Sequence, residues 1–226
     1  MMLGARTAAW AKSGGRVPTA RDYVQDGLVA MWDGIENAGW GSHDPNATTW
    51  KDLVGDFDLT VTTGAFVLSG FAGLATSATR PISANTTVTA LLSFDKIYQS
   101  YPVDAYDDSG GYRITTNITT GNIRFRWYIS RGSGLVWQTS FLHQALGTPG
   151  SYTFTGYGDS GIKKVFLGGE LIQTSGSQVG FANGSGGLNV GSKYCTMYNF
   201  RIYSRVLTAE EIAANYTIDK ARFNLT

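Results

Sequence analysis

Apolar and polar residues alternate with a period of two in several segments of the chain. In NIRFRWYI (residues 122–129), isoleucine, phenylalanine and tryptophan occupy every second position, and arginine or tyrosine lies between them. Successive side chains of a β-strand point to opposite faces, so this pattern predicts a strand with one buried and one solvated face. TTVTALLSF (86–94) and SYTFTGY (151–157) alternate in the same way. Such half-buried strands are typical of antiparallel sheets.

Glycine-rich turns separate the predicted strands. In KKVFLGGELI (163–172), Gly168 and Gly169 lie between two apolar pairs. They predict a β-hairpin, because glycine readily adopts the positive φ of a type I′ turn. Further runs have strand-like sequences: GLVAMW, DLTV, AFVLS, YRITTNI, GLVWQT, GLNVG and TMYNFRIYS. About a dozen short strands with such turns predict an all-β sandwich or barrel instead of an α/β fold.

A helix is predicted near the C-terminus, in LTAEEIAANYTIDKARF (207–223). Thr208 and Glu211 have the spacing of a capping box, in which each side chain accepts a hydrogen bond from the backbone of the other residue. Ile212 and Tyr216 follow at helical spacing. We therefore expect a short terminal helix that packs its apolar stripe against one sheet.

The N-terminal segment differs from the rest of the chain. Residues 1–21 are polar, contain glycine and show no periodicity, so we expect an arm or linker there and one domain over residues 22–226. The segment has no apolar run long enough for the core of a classical signal peptide. No part of the sequence approaches the roughly 18–20 apolar residues of a membrane span. The sequence therefore predicts a soluble protein without a membrane partner.

The charge and cysteine content exclude two further classes of protein. The 226 residues carry a formal net charge of +1, with 18 basic and 17 acidic residues and no basic run. Binding of nucleic acid requires neutralisation of many phosphates, so a nucleic-acid partner is not expected. The single cysteine, Cys195, excludes an internal disulfide framework.

The end of the chain resembles a known family of domains. The segments KKVFLGGELI, GLNVGS and TMYNFRIYSRVLTAEEIAANY are similar to the C-terminal half of laminin-G-like, concanavalin A-like jelly-roll domains. DGLVAMWDG, WKDLVGDFDLTV and TTVTALLSF resemble the opening strands of the same family. The resemblance covers about residues 22–220. It implies a two-sheet antiparallel jelly-roll sandwich with an N-terminal arm and a short C-terminal helix.

The arm and the insertion between Trp32 and Trp50 extend this resemblance. They look similar to domains encoded by gut bacteria and their phages, which are commonly attached to virion fibres or to surface adhesins. The resemblance implies a location on a virion or an extracellular surface. It also implies attachment to other virion proteins through residues 1–21, and it leaves open whether the protein is a homo-oligomer.

The acidic residues do not form the pattern of a glycosidase, although some sandwiches of this class are glycoside hydrolases. Retaining hydrolysis requires two carboxyl groups about 5–5.5 Å apart. The chain contains four glutamates, none of which is predicted to share a strand face with another: Glu36, Glu170, Glu210 and Glu211. Asp56 and Asp58 flank a predicted turn, and His43 and His143 are far apart in the sequence. We therefore expect a protein that is not an enzyme, with a glycoside hydrolase as the less favoured alternative.

Aromatic and acidic residues that suit a sugar are concentrated in YQSYPVDAYDDSGGY (98–112), which we predict to be a loop. Aromatic rings stack on the apolar faces of sugars, while carboxylates and amides hydrogen-bond the hydroxyls. The candidate ligand-binding residues are Tyr101, Asp104, Tyr106, Asp107, Asp108, Tyr112 and Trp40. The alternative is structural: the tyrosines pack on neighbouring strands and the aspartates form turns.

Three tryptophans lie in MWDGIENAGWGSHDPNATTW (31–50). Trp32 ends the first predicted strand and Trp50 precedes a turn, so both are expected to pack in the core. Trp40 lies between glycines, beside His43 and Asp44, and is the tryptophan placed as a ligand contact would be. Packing of all three tryptophans is the alternative.

No cofactor is expected, with calcium as the alternative. The carboxylates of Asp104, Asp107 and Asp108 are hard oxygen ligands of the kind that Ca²⁺ prefers, but their spacing is not that of an EF-hand.

These observations favour a non-catalytic carbohydrate-binding or adhesion module, in a phage virion protein of the head, tail fibre or decoration type. Its expected partner is a cell-surface glycan or polysaccharide. The alternative is a purely structural decoration protein docked through its N-terminal arm.

Overall fold

The computed structural model describes residues 16–67, 69–79, 81, 85–96, 98, 100–107, 110–117, 122–130, 134–142, 146–156, 161–175 and 186–225. Residues 106–107, 110, 117, 122–130 and 134–142 are described by their backbone alone. The described residues form fourteen strands, one α-helix and one 3₁₀ turn.

The strands are β1 (Leu28–Asp33), β2 (Thr49–Trp50), β3 (Leu59–Val67), β4 (Gly70–Ser77), β5 (Thr86–Phe94), β6 (Val103–Asp107), β7 (Gly110–Asn117), β8 (Asn122–Ser130), β9 (Gly134–Leu142), β10 (Gly150–Gly156), β11 (Lys163–Leu167), β12 (Glu170–Ser175), β13 (Leu188–Val190) and β14 (Cys195–Tyr203). The helix is α1 (Ala209–Phe223), and the 3₁₀ turn is Ala20–Asp22. All pairs between these strands are antiparallel. Eleven strands follow one another in the order β12-β11-β10-β5-β14-β4-β13-β6-β7-β8-β9. Of the other three, β1 pairs with β14, β2 pairs with β3, and β3 pairs with β4.

Strand β14 joins the two layers of the fold. One edge of β14 pairs with β5 along its length. The other edge pairs with β4 at Thr196 and Met197 and then with β1 from Asn199 to Tyr203. The sheet therefore curls over, with β1, β5, β10, β11, β12 and β14 in one layer and β2–β4, β6–β9 and β13 in the other. The predicted all-β antiparallel jelly roll with a C-terminal helix is confirmed.

Alternate residues of the two layers form the main hydrophobic core. In β5, Val88 and Leu92 point between the layers, as the period of two predicts. Trp32 is fully buried and stacks on Phe200, with the ring centroids 5.5 Å apart. Trp50 is also fully buried, in an aromatic cluster with Phe66 and Phe71. The predicted packing role of these two tryptophans is confirmed.

A second, smaller core lies on the outer face of the β5–β14 layer. Ile212 of α1 packs there with Tyr23, Met31 and Phe166. The helix begins with the predicted capping box, because Thr208 Oγ1 accepts a hydrogen bond from the Glu211 N–H and the Glu211 carboxylate accepts one from the Thr208 N–H. Helix α1 therefore covers the side of this layer that faces away from the other sheet.

Buried ion pairs hold α1 on the sheet. Asp219 lies 2.8 Å from Arg201 of β14, and both side chains are fully buried. The Asp219 carboxylate also accepts hydrogen bonds from Tyr23 Oη at 2.8 Å and from Ser151 Oγ at 2.9 Å. The guanidinium of Arg201 lies 3.9 Å from the centroid of the Tyr23 ring. One carboxylate of α1 thus connects three separate parts of the chain.

A second buried cluster is centred on Arg222 of α1. Its guanidinium donates to Asp33 at 2.8 Å and to Glu36 at 3.1 Å. Asn199 Nδ2 donates to the same Asp33 carboxylate at 2.8 Å. Asp33 and Glu36 are therefore structural acids, which tie the loop after β1 to the terminal helix.

The first described residues pack against this helix. Ala20 is fully buried, its N–H donates to Glu36 Oε1 at 3.3 Å, and the Val24 N–H donates to Asn215 of α1 at 2.9 Å. Most of the predicted arm (residues 1–15) lies outside the described part of the chain, and its boundary stays a prediction. None of the described helices is long and apolar enough to cross a membrane.

Candidate functional site

A groove of about 660 Å³ lies over the layer of β3, β4, β6 and β13. Its lining comes from these strands, from the segment before β6 and from the turn after β13. The lining residues are Thr63, Gly64, Ala72, Gly73, Leu74, Tyr101, Asp104, Asn189, Gly191, Ser192 and Lys193.

Three glycines allow the backbone itself to form part of the groove. Gly64 and Gly73 face each other across β3 and β4. A Cβ atom on Gly64 would lie 2.0 Å from the Ala72 carbonyl oxygen, and one on Gly191 would lie 2.2 Å from the Gly73 carbonyl oxygen. Gly64 and Gly191 also have φ values of +96° and +92°, which other residues rarely adopt. These positions therefore accept glycine alone, because backbone atoms of the neighbouring strand lie where a Cβ atom would be.

Tyr101 forms an aromatic wall of the groove and is 41% exposed. The Arg113 guanidinium carbon lies 4.7 Å from the ring centroid. Arg113 also binds the Asp104 carboxylate through two bonds, Nε–Oδ1 at 2.8 Å and Nη2–Oδ2 at 2.9 Å. A bidentate pair of this kind fixes the plane of both groups. The ring, the guanidinium and the carboxylate therefore form one rigid unit, the Tyr101–Arg113–Asp104 platform.

The strand register places a further polar side chain beside this platform. Asn189 of β13 pairs with Asp104 of β6, and Asp104 pairs with Arg113 of β7. Register partners in an antiparallel sheet point to the same face, so the three polar side chains form a row across three strands. Asn189 is exposed between the buried Leu188 and Val190.

Hydrogen bonds to β7 hold the segment before Tyr101 in place. The Ser100 N–H donates to Thr116 Oγ1 at 3.1 Å, and the Thr116 N–H donates to the Ser100 carbonyl at 3.1 Å. Thr116 Oγ1 also hydrogen-bonds the carbonyl of Tyr98. The segment that leads into Tyr101 is therefore held against β7 by hydrogen bonds to the backbone and the hydroxyl of Thr116.

Two of the predicted ligand-binding residues, Tyr101 and Asp104, line the groove. Tyr112 does not: it is fully buried in the main core, so its ring has no open face and its prediction as a ligand contact is corrected. Tyr106 and Asp107 lie in β6, where only their backbone is described. Asp108 lies outside the described residues.

The prediction of one loop over residues 98–112 is wrong for most of this segment. Residues 103–107 and 110–117 form the hairpin strands β6 and β7. The physical reason is an alternation that the tyrosines obscure, since Val103 and Ala105 are buried and Asp104 between them faces the groove.

Trp40 lies elsewhere on the surface. It does not line the groove, it is 36% exposed, and the Arg21 guanidinium carbon lies 4.2 Å from its ring centroid. Its neighbour Asp44 forms turn contacts, accepting a hydrogen bond from the Asn46 N–H at 2.9 Å. Of the predicted ligand-binding residues, Tyr101 and Asp104 therefore line the groove, whereas Trp40 does not.

The Asp104 carboxylate already has a cationic partner, because both of its oxygens accept from Arg113. Across the described residues, no three His, Cys, Asp or Glu side chains come together as a metal site. Calcium binding by Asp104 with Asp107 and Asp108 stays the alternative to the expectation of no cofactor, since the side chains of Asp107 and Asp108 are not described.

The sequence patterns did not single out three residues of this surface, Asn189, Lys193 and Arg113. A signal for Asn189 is present in GLNVG, where one polar residue lies between two apolar ones and therefore faces away from the core. The glycines inside the predicted strands, Gly64 and Gly73, are a second signal, because glycine within a strand marks a close backbone approach.

No family model matches the chain, and no curated protein matches its sequence. Solved structures match its fold. The binding domain of botulinum neurotoxin DC in complex with rat synaptotagmin II aligns with a TM-score of 0.65 and 12% identity, covering 86% of this chain and 52% of that chain. The botulinum neurotoxin type G receptor-binding domain aligns with a TM-score of 0.60 and 12% identity, over 86% of this chain and 52% of that one.

A third match is the ligand-binding domain of botulinum neurotoxin serotype D in complex with N-acetylneuraminic acid. Its TM-score is 0.58 at 12% identity, with 85% of this chain and 51% of that chain covered. The chain thus spans about half the length of these structures. At such low identity the likeness shows the fold alone, which is a concanavalin A-like, lectin-type jelly roll.

Proposed function

We propose that this chain is a non-catalytic carbohydrate-binding or adhesion module and that the groove beside Tyr101 is its binding site. The observation that carries the proposal is the Tyr101–Arg113–Asp104 platform. It presents an exposed ring and oriented polar groups beside a groove that is lined in part by glycines.

The chemistry of the groove suits a sugar ring. The apolar face of a sugar packs on an aromatic ring such as that of Tyr101, and its hydroxyls hydrogen-bond Asp104 and Asn189. A carboxylate such as that of Asp104 has about four acceptor positions on its two oxygens, so it can accept hydrogen bonds from more than one donor. The groove volume of about 660 Å³ lies in the range of known small-molecule sites, roughly 300–1,000 Å³.

Two further observations support a binding module without catalysis. Asp104 is the one carboxylic acid among the described lining residues, whereas hydrolysis of a glycosidic bond uses two. The similar solved structures are receptor-binding and ligand-binding domains, one of them with N-acetylneuraminic acid and another with synaptotagmin II. The same type of function is proposed here for a different sequence on the same fold.

A glycan array followed by affinity measurements tests the proposal. The purified chain should bind at least one glycan class, and Tyr101→Ala should weaken that binding about tenfold, because removal of a stacking ring removes about 1–2 kcal/mol. Trp40→Ala is the matched control, since it removes an exposed ring outside the groove, and it should leave the affinity unchanged. Thermal unfolding of both variants checks that they fold. Binding to no glycan, or loss of binding in Trp40→Ala alone, would refute the assignment.

The virion or extracellular-surface location and the docking role of residues 1–21 stay predictions. They rest on the resemblance of the sequence, and genes for capsid or tail proteins beside this gene would support them.

A further inference from the structure

A patch of exposed aromatic and basic residues adjoins the groove. Lys193 belongs to both, because it lines the groove and lies beside Tyr194. Lys96 approaches the same ring, and Tyr98 packs edge-on against it with the centroids 5.6 Å apart. We call Lys96, Tyr98, Lys193 and Tyr194 the basic rim of the groove.

The two ammonium groups of the basic rim have no acidic partner within the described residues. Lys193 Nζ lies 5.3 Å and Lys96 Nζ 5.7 Å from the centroid of the Tyr194 ring, and neither forms an ion pair there. Asp95 is the adjacent acid, but it contacts Tyr194 through its backbone N–H. A ring face attracts a cation without consuming its hydrogen-bond donors. Two positive charges therefore remain available to an anion beside one ring.

Backbone hydrogen bonds join the chain segments that carry the two lysines. The Asp95 N–H donates to the Tyr194 carbonyl at 3.1 Å, which fastens the segment of Lys96 to that of Lys193. The Cys195 N–H donates to the Ser192 carbonyl at 3.2 Å and closes the turn that carries Lys193. The backbone beside Lys96 is thus fastened to the backbone beside Lys193, which keeps the two lysines next to each other.

Near Tyr101, the Arg113 guanidinium is paired with the Asp104 carboxylate. Among the described side chains of the groove and its rim, the cations without an acidic partner are therefore Lys96 and Lys193. Two lysines are too few for the phosphate backbone of a nucleic acid, and they match one or two acidic groups on a small ligand.

We propose that the ligand of the groove is an acidic saccharide, whose carboxylate or sulfate group binds Lys96 and Lys193 while a neighbouring sugar ring lies against Tyr101. This inference rests on the proposed carbohydrate function and adds the charge of the ligand to it. The two lysines supply charge-assisted hydrogen bonds to the anion, and the groove supplies contacts to the uncharged part of the sugar.

The test compares pairs of saccharides with the same sugar backbone, of which one member carries acidic groups and the other is neutral. Oligogalacturonate and its methyl ester differ in carboxylate charge, and sulfated and unmodified dextran oligosaccharides differ in sulfate. We expect the charged member of at least one pair to bind about tenfold or more tightly at low salt. Added NaCl should reduce this difference, because exposed charges are screened over roughly 8 Å at physiological salt.

A double variant and a control test whether Lys96 and Lys193 cause the preference for the acidic saccharide. Lys96→Gln with Lys193→Gln should remove about tenfold of the affinity for the acidic member and should change the affinity for the neutral member much less. Lys220→Gln is the matched control, because Lys220 is also an exposed lysine, 5.9 Å from a tyrosine ring but on α1. It should not alter binding.

The possible failures are distinguishable. Equal binding of both members of each pair, or no effect of the double substitution on acidic ligands, would overturn this inference and leave the proposed function standing. Binding to no saccharide of either charge would overturn both.

Discussion

Asp219 is a fully buried carboxylate that accepts hydrogen bonds from Arg201, Tyr23 and Ser151. A buried charge is stable only when it is paired and hydrogen-bonded, because the interior solvates ions poorly. Removal of one member leaves the other as an unpaired buried charge. Single residues of this cluster therefore affect the whole fold strongly.

Replacement of Asp219 tests this argument. Asp219→Asn keeps the shape of the side chain but leaves Arg201 without a counter-charge, so the free energy of unfolding should fall by about 3–5 kcal/mol. Asp58→Asn is the control: it removes an acid from the exposed pair with Lys51 and should change stability by at most about 1 kcal/mol. Urea titration of both variants measures the difference. Equal losses would mean that the buried pair has no special role.

Strands β3 and β4 run closer together than side chains normally permit. Gly64 lies opposite Gly73, and a bulge between Val61 and Thr63 shifts the register just before this point. The result is a stretch of sheet whose surface is backbone, next to the ring of Tyr101. The groove is therefore a property of two paired elements.

We predict that Gly64→Ala is far more harmful than Gly39→Ala. Both glycines have positive φ, but a Cβ on Gly39 meets nothing within 4 Å, whereas one on Gly64 meets the Ala72 carbonyl oxygen at 2.0 Å. Backbone strain alone should cost Gly39→Ala about 1–3 kcal/mol. Gly64→Ala must also separate β3 from β4, so a total loss above about 3 kcal/mol is expected in urea titrations. Similar losses for both variants would contradict the close approach of these strands.

Across the whole molecule, the β5–β14 layer is covered on both faces. The second sheet layer lies on one face, and α1 with residues 16–24 lies on the other. Several groups that can lose a proton at high pH are enclosed as a result. Burial raises the pKa of Tyr23 well above its usual value of 10.0, and the charge of Asp219 raises it further. Burial also raises the pKa of Tyr203 and of Cys195.

This enclosure predicts loss of stability at alkaline pH. In the unfolded chain these groups ionise near pH 9–10, whereas in the folded protein they stay protonated, so unfolding releases protons above that pH. The free energy of unfolding should be constant from about pH 7 to 8.5 and should fall as the pH rises above about 9. Tyr23→Phe should lower stability at every pH but flatten this decline. A decline as steep in Tyr23→Phe as in the unchanged chain would exclude a contribution from Tyr23.

Much of the fold could be predicted because its signals are local. The alternation in TTVTALLSF specified both faces of β5, and Thr208 with Glu211 marked the start of α1. The burial of Trp32 followed from its place at the end of a strand. The predicted site was less accurate: Tyr101 and Asp104 line the groove, whereas Tyr112, only eleven positions beyond Tyr101, is a core residue.

The sequence by itself thus determined most of the strands and turns, the helix cap and the antiparallel class of the fold, because each depends on residues that are neighbours along the chain. The tertiary structure decided which of these elements meet. Asp33 binds Arg222 across 189 positions, and the groove needs β13 inserted between β4 and β6. Strand order and register depend on the packing of the whole core, so no local pattern encodes them.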